Sequence, residues 1–291
     1  MIDVFNIPNS NQGVSIFYAD GAAWQTWQKP RNCQWVWIMA IGGAGGGAGG
    51  RVAVTTNGSS AGAAAAVTRG MFNASHLPDT LFIQVGLGGN GGESNTNGSS
   101  GGRSFISILP NTTSTNGVLA SGNSGANGGL TTGLGAIGET DYLISAGVFG
   151  SLATFLSIQG RSGSTSSLSP SNVVLVSSIV VIGAQGAGYN ITTPVAINGA
   201  SVNATPNSPR LPGGTGTIEA STNGGNGADG ITSWKPFYSL GGAGGGNSST
   251  GVGGNGGNGG IGSGGGAGGA SGVTGGRGGK GGDGIVMIVA V

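Results

Sequence analysis

Residues Gly251–Gly284 read GVGGNGGNGGIGSGGGAGGASGVTGGRGGKGGDG and run into the apolar stretch IVMIVAV at Ile285–Val291. From Gly251 the non-glycine positions recur every third residue, at Val252, Asn255, Asn258 and Ile261. The phase returns at Ala267, Ala270 and Val273, then shifts by one to Arg277, Lys280 and Asp283. A period of three fits neither the 3.6-residue helix nor the two-residue strand. It fits an extended three-fold helix of the polyproline II type, rising ~3.1 Å per residue with its peptide groups directed outward. Ordering glycine costs on the order of 0.5–1 kcal/mol more per residue than ordering alanine. The expectation is therefore that such segments pack side by side and bond backbone to backbone. A flexible linker is the alternative, but a linker needs no triplet phase and no closing strand.

The rest of the composition agrees with an ordered chain. There are 69 glycines in 291 residues, 7% charged residues and a formal net charge of +1. Collagen requires a strict G-X-Y repeat rich in proline, and disorder requires high net charge with few apolar residues. Neither holds here. A balanced charge argues against nucleic acid as a partner. One cysteine, Cys33, excludes an internal disulfide framework. No basic segment followed by an apolar run opens the chain, and Val173–Ile182 is too short to cross a bilayer. The expectation is a protein that does not insert into membranes and is not exported by the standard route.

Outward from the glycine block, Ile16-Phe17-Tyr18 and Val4-Phe5 suggest two short strands around a turn at Asn9–Gly13. After a turn at Pro30–Asn32, Gln34–Ile41 reads as a strand. It puts Trp35, Trp37, Met39 and Ile41 on one face and Val36, Ile38 and Ala40 on the other. With both faces apolar, it calls for cover on both sides or for a subunit interface. It runs into GGAGGGAGG, which is not a dinucleotide-binding turn: no helix pattern follows, and no acid appears until Asp79. Ala61–Val67 is expected as a strand against glycine backbone. Leu81–Val85 and Ser104–Leu109 are expected as strands flanking a second glycine run. Asp141–Ile158 is strand-like, Val173–Ile182 reads as one or two buried strands, and Pro194–Pro212 as a long surface loop.

Four divisions follow: 1–23 an N-terminal attachment segment, 24–128 a glycine-rich β module, 129–234 an inserted region of strands and loops, and 235–291 the closing part of the module. The fold class is all-β, a sandwich or jelly-roll-like domain whose glycine-rich loops pack as extended three-fold, polyglycine II-like helices.

Catalytic chemistry finds little support. His76 is the single histidine, so a zinc site with nitrogen and sulfur ligands is not expected. Ser75, His76 and Asp79 are adjacent in sequence, but there is no G-x-S-x-G elbow. Glu139 and Asp141 suggest a paired-carboxylate or calcium site, or a solvated turn. The reading is no enzyme and no cofactor. Aromatic residues are the better candidates for contact. Tyr142, Tyr189, Trp234, Phe237 and Tyr238 are candidates for partner contact, and Trp35, Trp37, Ile285 and Met287 for a subunit interface.

The order of parts is familiar. A tryptophan strand enters GGAGGGAGG. Leu77-Pro78-Asp79 then precedes LFIQVGLGGNGG, GGRS follows, and the chain closes on GGDGIV at Gly281–Val286. This resembles the glycine-rich domain of bacteriophage tail, fibre and adhesin proteins over about residues 24–128 and 235–291. In that pattern a Pro-Gly stands where this chain has Pro78-Asp79. The resemblance implies a virion component made in the host cytoplasm, acting in the tail or fibre and in contact with other virion proteins. It implies a homo-oligomer, with a trimer favoured, and a host-surface glycan or outer-membrane protein as target. The insertion is expected to carry recognition. Docking or decoration without receptor binding, and a glycine-rich ice-binding or cell-surface protein, remain alternatives.

Overall fold

The structure is a computed structural model that describes residues 13–52, 57–110, 117–130, 153–158, 168–174, 179–203 and 210–291. It is nearly all β, and among the described residues the one helical turn is Ala74–His76. Among the described residues four sheets are formed. The first has five strands in the order β1 (Val14–Tyr18), β14 (Ile285–Ala290), β3 (Trp35–Ile41), β4 (Val67–Asn73) and β8 (Ala153–Ile158), all antiparallel. The second has four antiparallel strands, β2 (Gln25–Gln28), β5 (Thr80–Gln84), β6 (Ser104–Ser107) and β7 (Val118–Gly122). β9 (Val173–Val174), β10 (Val202–Asn203) and β11 (Arg210–Leu211) form a small mixed sheet. β12 (Thr232–Trp234) and β13 (Phe237–Ser239) form a hairpin through Lys235-Pro236.

Alternation along β3 sorts its side chains as its sequence requires. Val36, Ile38 and Ala40 join Phe72, Val286 and Ile288 in a core shared with Trp27, Leu81, Ile83, Ile106 and Leu119 of the second sheet. Met39 and Ile41 join Val67, Ile285 and Met287 in a second core on the opposite face. There Val180, Trp234, Phe237 and Ile261 cover them. Cover on both sides of β3 and β14 is thus supplied within one chain, for all but the outer residues of β3. A third core, around Val181, Ala200, Val202, Leu211 and Leu240, lies under β10 and β11.

Beyond the sheets the chain runs back and forth in extended segments that are not strands. Residues 42–50 show the rule. Gly43, Gly46 and Gly49 donate to the carbonyls of Gly102, Ser99 and Thr96. Ala44, Gly47 and Gly50 donate to Gly282, Gly279 and Gly276, and Gly45 and Ala48 to Ala63 and Ser60. Consecutive N–H groups therefore point in three directions, where a strand would use two. The carbonyls follow the same cycle. Ala44 and Gly47 accept from Gly89 and Gly92, Gly43 and Gly46 from Gly125 and Gly128, and Gly45 and Ala48 from Gly265 and Gly268. Segment 42–50 is thereby enclosed on every side by other segments.

The same bonds order the segments into three rows. The outer row is 223–231, 251–261, 273–284 and 85–94. The middle row is 211–217, 240–249, 262–272, 42–50 and 96–103. The third row is 197–203, 181–189, 57–66 and 122–130. Each residue from Gly43 to Ala48 donates one such bond and accepts one. At a net ~0.5–1.5 kcal/mol per bond, this offsets the ~0.5–1 kcal/mol by which glycine is harder to order than alanine. Side chains are excluded by distance. A Cβ at Gly47 would lie 2.1 Å from the Gly266 carbonyl oxygen, and one at Gly256 would lie 2.2 Å from the same atom.

Several elements differ from expectation. Residues 57–66 form an array segment and the strand begins at Val67, because Gly62, Ala63 and Ala66 donate to Gly265, Ala126 and Asn123 in turn. Within Pro194–Pro212, residues 194–196, Arg210 and Pro212 are exposed and 204–209 lie outside the described residues. Gly199, Ala200, Ser201 and Val202 are buried in the third row, where Gly199 donates to Gly214 and Ala200 to Gln185. Within Val173–Ile182, β9 is two residues long, Val180 and Val181 are buried, and 175–178 lie outside the described residues. The strand expected in Asp141–Ile158 is β8; residues 141–152 are outside the described residues, as are Val4 and Phe5. Of the stretch read as an insertion, segments 181–189, 197–203, 211–217 and 223–231 are bonded into the array.

Candidate functional site

The array has two unlike ends. At one end the segments join the sheets: β3 continues into 42, β5 into 85, β7 into 123 and β13 into 240, while 66, 103, 231 and 284 lead into β4, β6, β12 and β14. At the other end the segments are linked by loops, and these form a tip. The described tip loops are 93–97, 189–197, 217–223, 248–252 and 271–275.

Short polar side chains fix the tip. Asn247 is fully buried. Its Nδ2 donates to the carbonyls of Gly188 at 3.1 Å and Val195 at 2.8 Å, and its Oδ1 accepts from the Ile197 N–H at 2.8 Å. Ser248 and Ser271 are also fully buried, and their hydroxyls donate to the carbonyls of Thr222 and Gly251. Ser249 and Thr250 reach the carbonyls of Ile218 and Glu219. Asn95 and Ser221 hold positive φ angles of 59° and 62° in these turns. Five large apolar side chains stand out of the tip: Ile191, Val195, Ile218, Val252 and Val273, each between 41% and 58% exposed. A mostly uncharged surface of aliphatic and hydroxyl groups results, with Glu93 and Glu219 among them.

The outer row forms a second surface, a flat side face. Its triplet positions carry Asn223, Asn226 and Asp229, then Val252, Asn255, Asn258 and Ile261, then Thr274, Arg277, Lys280 and Asp283. Here an N–H that would meet a further segment in the interior meets a neighbour's side chain. The N–H groups of Val252, Asn255 and Asn258 donate to the Oδ1 atoms of Asn223, Asn226 and Asp229. Those of Arg277 and Lys280 donate to Asn255 and Asn258, and that of Gly88 to Asp283. Arg277 also pairs with Glu93, and Lys280 with Asp283 at 2.8 Å. These polar residues hold the surface layer together.

The aromatic candidates are dispersed. Tyr189 is 5% exposed and lies inside the structure. Trp234 and Phe237 stack tilted, with ring centroids 5.5 Å apart, and pack against the second core; Tyr238 packs against the third. Tyr142 lies outside the described residues. Ile285 and Met287 are buried in the chain's own core, Trp37 is half-buried, and Trp35 is 42% exposed at the end of β3 remote from the array. His76 is exposed and meets neither neighbour: Ser75 Oγ donates to Asn73 and Asp79 pairs with Lys29. Glu139 and Asp141 lie outside the described residues. Among the described residues no group of three His, Cys, Asp or Glu side chains is placed to hold a metal, and no helix is long and apolar enough to cross a membrane.

The tip is the surface that sequence reading missed. Its apolar residues are scattered singly through polar loops, and only the folding of successive segments gathers them. One signal was present: turn residues such as Ser-Ser-Thr-Gly at 248–251 and Ala-Ser-Gly-Val-Thr at 270–274 interrupt the triplets two segments apart.

A sequence model described as a glycine-rich domain matches residues 19–291. The chain belongs to the glycine-rich domain family. The match runs through 129–234, and the structure gives the reason, since that stretch supplies segments to the same array as its flanks. No curated protein matches this glycine-rich domain.

Proposed function

We propose that this glycine-rich domain is a non-catalytic recognition module of a bacteriophage virion, in its tail or fibre, and that its tip contacts the host surface. The observation that carries the reading is the tip: five exposed aliphatic side chains on loops held by the buried Asn247, Ser248 and Ser271. Loops on a rigid scaffold are where recognition residues concentrate, and rigid loops lose little entropy on binding. The sequence resemblance to phage tail and fibre proteins supplies the setting.

In the same reading the two large sheets are a β-sandwich, and the array segments are polyglycine II-like helices. The three-direction hydrogen-bond cycle and the glycine spacing support this. At ~3.1 Å per residue, nine residues such as 42–50 make a column about 28 Å long, which separates the tip from the sheets. Glycans or outer-membrane loops suit the tip's mix of aliphatic and hydroxyl groups.

Gold-labelled antibody against this chain, imaged on phage particles, tests the virion assignment; particles that carry no label remove it. Exchange of the tip loops 189–197 and 217–223 between two such proteins tests recognition. Adsorption should follow the exchanged loops. Particles that assemble and adsorb without regard to them exclude the tip as the determinant.

A further inference from the structure

A cleft of about 690 Å³ opens at the opposite end of the molecule from the tip. One wall is the turn from Lys29 to Gln34, the other is Asn73–Ser75 with Asp79, and Trp35 lies between them. The walls are locked together. Lys29 Nζ donates to the carbonyls of Leu77 at 2.6 Å and Ala74 at 3.1 Å and pairs with Asp79 at 3.2 Å, while the Ala74 N–H donates to the Gln34 carbonyl at 2.8 Å. Asn32 holds a φ of 67°, in the left-handed region that only a few per cent of non-glycine residues adopt. The cleft is therefore preformed.

Its chemistry is specific. Trp35, 42% exposed, offers an indole surface. Around it stand the planar polar groups of Arg31, Asn32, Gln34 and Asn73. Asn73 spends its Oδ1 on Ser75, which leaves its amide N–H donors to the cleft. Lys29 is neutralised by Asp79, whereas no hydrogen bond or ion pair holds the Arg31 guanidinium among the described residues. One free cation beside an aromatic face is too little charge for a nucleic acid. The cleft is also too open and too polar for a purely apolar ligand.

We propose that this cleft binds an acidic saccharide, with a pyranose ring stacked on Trp35, hydroxyls bonded by the amides of Asn32, Gln34 and Asn73, and a sugar carboxylate paired with Arg31. The indole meets the C–H face of the ring, and the guanidinium grips the carboxylate through two parallel hydrogen bonds. The volume lies within the ~300–1,000 Å³ common to ligand sites, so it takes short oligosaccharide segments. This site is independent of the tip and of the virion setting.

Titration calorimetry and tryptophan fluorescence with tetragalacturonate, maltotetraose and tetraglutamate test the proposal on the full chain. Tetragalacturonate should bind saturably and at least about tenfold more tightly than either other probe, a difference of ~1.4 kcal/mol. Trp35→Ala should abolish binding, and Trp35→Tyr should retain part of it. Arg31→Gln should bring tetragalacturonate down to the level of maltotetraose, while Lys280→Gln, on the array face, should change nothing. Melting temperatures of the variants separate lost binding from lost fold. The proposal is overturned by no saturable response of the wild type up to about 10 mM. It is equally overturned by wild-type affinity in folded Trp35→Ala, or by tetraglutamate binding as tightly as the uronate.

Discussion

The backbone N–H of Arg277 donates to the side-chain Oδ1 of Asn255 at 2.8 Å, and the Asn255 N–H donates in turn to Asn226 Oδ1 at 2.8 Å. One side chain thus stands in for the missing outer segment at the surface of the array. It explains why asparagine recurs at the triplet positions: its amide oxygen reaches the neighbouring segment, and Asp229 and Asp283 reach in the same way. Asn255→Ala removes an exposed acceptor whose partner can turn to water, so the expected loss is about 0.5–1 kcal/mol. Asn255→Asp retains the acceptor and should melt close to the wild type. Thermal unfolding of the two variants checks this; equal melting temperatures for alanine and wild type would show that the ladder contributes nothing.

A central glycine should be far less tolerant than an exposed glycine outside the array. Gly47 has the Gly266 carbonyl oxygen 2.1 Å from where a Cβ would sit, whereas Gly13 has nothing within 4 Å. Both neighbours of the new methyl group are backbone in a fully bonded array, so two segments must part. Gly47→Ala is expected to cost about 3 kcal/mol or more, a fall in melting temperature of roughly 5–10 °C for a chain of this size. Gly13→Ala should leave it unchanged. Calorimetry of the pair distinguishes an ordered array from a slack linker: a linker would treat both substitutions alike.

The sheets give a test on adjacent residues of β4. Phe72 is 1% exposed in the core shared by the two large sheets, and Met71 points to the opposite face with 39% exposure. Phe72→Ala should destabilise by about 3–5 kcal/mol through lost transfer energy and the cavity left behind. Met71→Ala should cost under about 1 kcal/mol, as exposed surface positions do. Denaturant titration reads the difference directly, and similar costs would mean that the strand is not alternating as described.

The triplet phase of 251–261 was sufficient to foresee an ordered, backbone-bonded array, and the alternation in Gln34–Ile41 to foresee a strand buried on both faces. What occupied each triplet position held more than was read from it. Ala44, Ala48, Ala243, Ala267 and Ala270 mark segments in the middle row and are all but fully buried, while Asn, Arg, Lys and Asp mark the exposed row. The return of the same phase at Ala267 hid a reversal at Gly262, beside the sheets, whose φ of 63° turns the chain back toward the tip. The shift of phase before Arg277 marks the next reversal, at 271–275. Residues 129–234 read as an insertion because they break the glycine period and do not follow the module's pattern. Yet an edge segment has fewer neighbours to accommodate, so it needs fewer bare positions. The tip and the Trp35 cleft were not legible, because each is assembled from loops distant in sequence.

Asn247 provides the sharpest contrast with Asn255. Both are asparagines that bond to a neighbouring segment, but Asn247 is fully buried and uses all of its bonding groups at once. Asn247→Ala would leave the Ile197 N–H and the Gly188 and Val195 carbonyls without this partner, in a place that a methyl group does not fill. Each buried, unsatisfied group costs about 1–3 kcal/mol, so the local loss should be several times that of Asn255→Ala. Asn247→Asp keeps the acceptor for Ile197 but sets a carboxylate against two carbonyl oxygens, and it should be no better tolerated. The loop at 191–196 is exposed, and the hydrogen bonds from the Thr192 and Thr193 N–H groups to Asn190 Oδ1 stay within the loop. The loss should therefore appear there first, as faster amide hydrogen exchange in 189–197, while the strands β3 and β14 keep their protection. Exchange measured by mass spectrometry reads both regions in one experiment. Unchanged protection of 189–197 in Asn247→Ala would show that the tip is held by something other than this side chain, and would remove the rigid scaffold on which the recognition proposal rests.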